Sequence, residues 1–254
     1  MLNNPHYILL LCVLSLFLLT TVFIAANNDR PIFFAGSFST YSADDILPDL
    51  WESLSFRGKK DTEYRLHEID DDVVIKAESD QSASGLIRRL DLDPKEYPVL
   101  RWSWRAENIL EKGDVTEKSG DDYPARIYVT FNYDISNLSW WDRTRLRVIR
   151  TFYGEVPTRA INYIWESKAD VGTIVPNPYS DLVMMIVVES GEENIGSWVQ
   201  HERNVYEDYK EIYGKEPPNI NGLAIMTDTD DTEESAVAYY GDIKFIRKDQ
   251  IAND

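Results

Sequence analysis

Cysteine is missing from this 254-residue chain after Cys12, so residues 27–254 can form no disulfide and must hold their fold by packing and hydrogen bonding. Histidine is scarce too. His6, His67 and His201 are far apart in the chain, too little material for a histidine-based metal site or triad. Basic residues are outnumbered, 26 Lys and Arg against 44 Asp and Glu, giving a formal charge of −18 and a pI near 4.5. Phosphate binding draws on clustered cations in a basic surface, so nucleic acid is not an expected partner. The G-x-S-x-G elbow, HExxH, the P-loop, paired CxxC and the E-x-D-x-x-E strand signature of sandwich glycosidases are all absent. No internal repeat or low-complexity tract is present.

Charge is also absent from residues 1–26, which contain no Asp, Glu, Lys or Arg. Tyr7 to Ala26 is continuously apolar or small, about long enough to cross a bilayer as a helix at ~1.5 Å per residue. Residues 1–26 are therefore expected to be a signal peptide or an N-terminal membrane-anchoring hydrophobic helix. Ile24-Ala25-Ala26 is a partial match to a cleavage site, and no Lys or Arg precedes the run, so both fates stay open. The expected location is extracytoplasmic: periplasmic or secreted, or anchored to the inner membrane by residues 7–26. A linker at 27–31, a single domain over 32–247 and a polar tail at 248–254 complete the division. The chain's 43% apolar content suffices for one well-cored domain.

What is present is a succession of short alternating runs. Thr62–His67 and Asp72–Ala77 form a hairpin about an acidic turn at Asp70–Asp72, and Ser82–Leu90 gives a further strand. In Val99–Arg105 the side chains of Leu100, Trp102 and Trp104 share a face, a sugar-stacking platform or, by the usual burial of tryptophan, core. Residues 125–131 alternate as well. Ala125, Ile127, Val129 and Phe131 point to a core, and Arg126, Tyr128 and Thr130 to the other face. Residues 139–153 carry Arg143, Arg145, Arg147 and Arg150 around helically spaced apolar residues, a basic surface helix in an acidic chain. Leu182–Val188 is apolar on both faces, predicting a central strand. Asn204 and Glu207 match a capping box for a helix over Val205–Tyr213, stopped at Gly214. Ile220–Thr227 and Ala236–Ile246 are the last strands, with Val237, Tyr239, Ile243 and Phe245 on one face. Many strands with sparse helices predict a mostly β fold, a β-sandwich with one or two short helices.

Chemistry could reside in the acidic loops. Asp228, Asp230 and Asp231 are the metal candidates, and calcium the one cofactor to which the sequence points, because hard cations want several oxygen ligands. The loop is not an EF-hand: Glu233 and Tyr239 occupy the positions that motif reserves for Gly and Glu. Asp121 and Asp122 would join the loop only if the fold brings the two together. Asp121, Asp122, Glu166, Asp208 and Asp228 could also supply a carboxylate pair for glycoside hydrolysis.

The segments SGDDYPARIYVTF, INYIW, ERNVYEDYKEIYG and MTDTDDT followed by YYGDIKF, in that order, resemble the bacterial DUF3047 family, catalogued as a domain of unknown function. The resemblance covers residues 32–247. It implies an exported sandwich of the jelly-roll kind, similar to carbohydrate-binding modules and galactose-binding-like domains, and brings no catalytic residues with it. The family's recurrent polar positions match Asp121, Asp122, Arg126, Tyr163, Trp165, Arg203, Asp208, Asp228, Asp230 and Thr232.

The leading expectation is a non-catalytic domain that binds a saccharide or cell-envelope polymer. Arg126 would donate hydrogen bonds, Tyr128, Tyr163 or Trp165 would stack on a ring, and Asp121, Asp122, Asp228 and Asp230 would accept hydroxyls or hold a cation. A carboxylate-dependent glycan hydrolase is one alternative. The other is a structural or protein-interaction domain in which the same charges form a buried ion network.

Overall fold

The structure, a computed structural model, describes residues 30–134, 136 and 159–253; the apolar run at 7–26 and the basic stretch at 139–153 lie outside them. Among the described residues no helix is long and apolar enough to cross a membrane. Two sheets face one another. The six-stranded sheet holds β1 (Ile32–Gly36), β3 (Glu63–Ile69), β4 (Asp72–Asp80), β6 (Val99–Ala106), β11 (Val199–Asn204) and β13 (Ser235–Ile246). Its order is β11-β6-β13-β4-β3, with β1 pairing the last residues of β13. The seven-stranded sheet runs β2 (Glu52–Ser55), β5 (Ala83–Leu92), β12 (Ile220–Asp228), β7 (Arg126–Phe131), β8 (Ala160–Glu166), β10 (Ser180–Ser190) and β9 (Ile174–Asn177). Strands β8 and β10 pair in parallel, and the other ladders are antiparallel. The fold is a mostly β two-sheet sandwich, with one α-helix, α1 (Val205–Tyr213), among the described residues.

Local chemistry accounts for several boundaries. Asp70 and Asp71 take φ of 52° and 68° between Ile69 and its partner Asp72, the two left-handed residues that a tight hairpin turn requires. The Asn204 side chain accepts a hydrogen bond from the Glu207 N–H at 3.1 Å and caps α1. Gly214, at φ 64°, closes it by donating to the Lys210 carbonyl.

Between the sheets lies an aromatic layer. Trp102 and Trp104 of β6 meet Tyr163 and Trp165 of β8, with ring centroids 5.4 and 6.3 Å apart. All four are buried, so the tryptophans of β6 are core. Their removal from water helps to hold sheet on sheet. Ala125, Ile127, Val129 and Phe131 join this core, which turns Arg126, Tyr128 and Thr130 to the outer face of the seven-stranded sheet.

Two expectations need correction, and two strands escape the sequence reading. Strand β10 lies next to the edge strand β9, not at the centre of the sheet. It is apolar on both faces because Ile186 and Val188 enter the main core while Met185 and Val187 pack outside the sheet with Val115, Tyr123 and Ile164. In β13 the inward residues are Ala238 and Tyr240, then Ile243 and Phe245. An irregularity in the β6 ladder between Tyr240 and Ile243 shifts the alternation, so Val237 and Tyr239 do not share the face of Ile243. Finally, β9 and β11 do not stand out in the sequence: β9 holds Pro176, and β11 is the polar run VQHERN.

Candidate functional site

On the outer face of the seven-stranded sheet, Ile87, Ala224, Tyr128 and Asn162 lie in one row across β5, β12, β7 and β8. The next row is Leu54, Gly85, Met226, Arg126 and Ile164. Small residues hollow this face. A side chain at Gly85 would put its Cβ 2.8 Å from the Ile225 carbonyl oxygen, and Ala83 and Ala224 add little height. The result is a groove of about 170 Å³ walled by Leu54, Phe56, Ile87, Tyr128, Val183 and Met226, with Asp121, Arg126, Asp228, Asp230 and Asp231 at its polar end.

Four segments build that end. Arg126, 4% exposed, donates through Nη2 to Asp228, and its Nη1 lies 4.0 Å from Asp121. Its guanidinium sits between the rings of Tyr123 and Tyr128, 5.2 and 5.3 Å from their centroids. The Asp121 carboxylate accepts from the Tyr123 hydroxyl at 3.1 Å and the Asn177 amide at 2.8 Å. The Asp122 carboxylate accepts from the backbone N–H and hydroxyl of Thr232 at 2.6 and 2.7 Å. Lys59 binds Asp230, and the Tyr179 hydroxyl donates to Asp231 at 2.7 Å.

The loop after β12 is held in place before any ligand arrives. The Thr229 N–H donates to the Ser82 carbonyl, the Thr229 hydroxyl meets that of Ser79, and Lys112 reaches the Thr232 carbonyl. Tyr240, crossing from the opposite sheet, donates to the Met226 carbonyl at 2.7 Å. Such support fixes the acids on rigid elements.

Burial dominates the electrostatics. It pushes the Asp121 carboxyl up to about 6, offset in part by Arg126, Asn177 and Tyr123. It raises Asp122 against the two bonds from Thr232. Asp228 is driven well above the carboxylate range by burial, which Arg126 only partly opposes and to which Asp122, Asp121 and Asp230 add. Burial alone would lower the Arg126 guanidinium, but Asp228, then Tyr128 and Asp121, hold it well above its ordinary value. The cation is fixed, and the carboxyls around it are ready to take up protons.

The structure thus brings together Asp121, Asp122, Arg126, Tyr128, Asp228, Asp230 and Thr232. Asp231 lies beside them through Tyr179 and Lys59, but the three carboxylates that converge are those of Asp122, Asp228 and Asp230. The structure places the other candidates elsewhere. Tyr163 and Trp165 are fully buried on the inner face, leaving no ring surface for a ligand. Tyr163 donates to Asp208 at 2.7 Å, and Asp208 accepts from Arg203 Nε at 3.0 Å, a structural knot tying β8, β11 and α1 across the sheet from the groove. Glu166 accepts from the N–H groups of Val115, Lys168 and Ala169 and holds the loops outside β8. Lys59, Asn177 and Tyr179 carry no signal of a site in the sequence: Lys59 and Tyr179 lie in turns, Asn177 ends β9, and all three join the acids only by folding. Asn162, beside Tyr128, is fully buried with neither amide atom hydrogen-bonded.

The family described as "Protein of unknown function (DUF3047)" matches residues 49–244. No curated protein matches the chain. Among solved structures, the K1 cleaved adhesin domain of Lys-gingipain from Porphyromonas gingivalis W83 is 12% identical over 85% of this chain and 98% of its own, with a TM-score of 0.38. The K2 cleaved adhesin domain of Lys-gingipain is 9% identical over 84% and 97%, also at 0.38. The glycoside hydrolase domain of Endo-D from Streptococcus pneumoniae R6 is 8% identical over 77% of this chain and 21% of its own, at 0.31.

Proposed function

The chain belongs to the DUF3047 family, whose description assigns no activity, and from the site we propose that it is an extracytoplasmic, non-catalytic domain that binds a saccharide or cell-envelope polymer. The observation that carries this reading is the groove: an apolar floor around the half-buried ring of Tyr128, closed at one end by preorganised carboxylates. A sugar ring has one C–H face and a rim of hydroxyls. It would lay that face against Tyr128 and Ala224 and donate hydroxyls to Asp121, Asp230 and Asp231. The jelly-roll class of sandwich, with ligand sites on a sheet face, is the fold type this reading assumes. The uncharged apolar run at 7–26 supports export and, if retained, membrane attachment.

Titration calorimetry with a panel of neutral and acidic oligosaccharides and envelope-polymer fragments tests the proposal. One class should bind saturably, and Tyr128→Ala should weaken it at least tenfold while the melting temperature shows the fold intact. Binding unchanged in Tyr128→Ala, or none across the panel, overturns it.

A second reading, a carboxylate-dependent glycan hydrolase, is favoured by one observation: Asp121, with its carboxyl pushed up to about 6, holds a usable share of protons near neutrality. It requires release of reducing ends from a polysaccharide, abolished by Asp121→Asn.

A further inference from the structure

We propose that Asp122, Asp228 and Asp230 form a binding site for a hard divalent cation, with calcium the ion it fits. One carboxylate oxygen from each lies within 4.8 Å of the others. Two oxygens on one calcium ion, each at about 2.4 Å, cannot be farther apart than about 4.8 Å, so every pair among the three falls within the span that one ion can bridge.

Two further observations point to a ligand. Asp122 is 1% exposed, and its Oδ1 is buried without any hydrogen-bond partner, although its Oδ2 takes two bonds from Thr232. A buried carboxylate oxygen left without a partner bears the full cost of its desolvation, and a metal ion at that position removes the cost. The charge count is also uneven. Among the described residues, Asp121, Asp122, Asp228, Asp230 and Asp231 are served by Arg126 and Lys59, five carboxylates to two cations.

The donor set selects the ion. All three ligands are carboxylates, with no sulfur or imidazole, which suits calcium or magnesium and not zinc or copper. Magnesium demands near-ideal octahedral geometry and sheds water reluctantly, whereas calcium accepts irregular oxygen sets completed by water from the open groove. Lys59 is the resident competitor. Its side chain is 35% exposed and its ammonium rests on Asp230, so an arriving ion would displace it toward Asp231 and solvent. The inference does not rest on the saccharide reading, because the probe is the metal alone.

Calorimetry on the full chain in detergent, stripped with chelator and titrated with calcium chloride or magnesium chloride, is the test. We expect one saturable calcium site with magnesium at least tenfold weaker, weakening of at least tenfold in Asp230→Asn, and several-fold tightening in Lys59→Ala. Asp122→Asn should also lose the site. If that variant fails to fold, Asp230→Asn, whose side chain lies nearer the surface, carries the result. No saturable calcium binding in either the unaltered chain or Lys59→Ala overturns the proposal, as does Asp230→Asn binding like the unaltered chain.

Discussion

The residue with the most at stake is Arg126, because its ion pair with Asp228 is almost wholly dry: the two side chains are 5% and 3% exposed. Asp228→Leu strands the guanidinium and should destabilise by about 3–5 kcal/mol, Arg126→Met should cost less because the buried Asp228 carboxyl can take up a proton, and the double substitution should cost much less than their sum. Chemical denaturation of the three variants measures the coupling, and additive losses would show that the pair contributes nothing as a pair. Asp121 offers a second handle. Burial keeps its carboxyl protonated to about pH 6, so its carboxyl-carbon NMR titration in chelator should have a midpoint about two units above that of an exposed aspartate. A midpoint near the ordinary 3.8 would mean that water reaches the groove end.

At the scale of elements, α1 is the most self-contained prediction. The cap at Asn204, the acids Glu207 and Asp208 in its first turn and the left-handed Gly214 after its end are all local signals. Asn204→Ala should cost about 1 kcal/mol by denaturant unfolding, and no measurable loss would show that tertiary contacts alone hold the helix. Strand β11 is the opposite case. Its Gln200, Glu202 and Asn204 are exposed while Val199, His201 and Arg203 are half-buried, so at a sheet edge it shows no apolar alternation. In β9, Pro176 argues against a strand unless the strand lies at an edge, which is where it is found. Alternation along β7 did identify the outward face of Arg126. Along β8 it could not choose, because Asn162 and Ile164 on one side and Tyr163 and Trp165 on the other are all fully buried.

For the whole molecule, the groove acids and His201 set opposite pH dependences. Asp121, Asp122 and Asp228 hold protons more tightly when folded than their unfolded carboxyls do. Their contribution is therefore present at low pH and lost as pH rises through the folded values, for Asp121 from about 4 to about 6, worth about 3 kcal/mol. His201 behaves in reverse. Burial, then Arg203, pushes its imidazole down to about 4, so the unfolded chain takes the proton first and stability falls as pH drops from 6.5 toward 4. Melts of His201→Gln in chelator should thus show a melting temperature that rises from pH 7 to pH 5, and adding Asp121→Asn should flatten part of that rise. A fall on acidification in His201→Gln would mean that the groove carboxyls ionise at ordinary values.

By itself, the sequence determined the class of fold, the inner and outer faces of β7, the limits of α1 and the two acidic loops. Each of these is encoded within a few consecutive residues, as a period of two, a cap or a turn. Tertiary structure alone decided that Asp122 meets Asp228 and Asp230, that Lys59, Asn177 and Tyr179 close around them, and that Tyr163 and Trp165 belong to the core. Those outcomes depend on ladder register and on which sheet face is covered, and both are set by pairing between residues as far apart in the chain as Ile32 and Ile246.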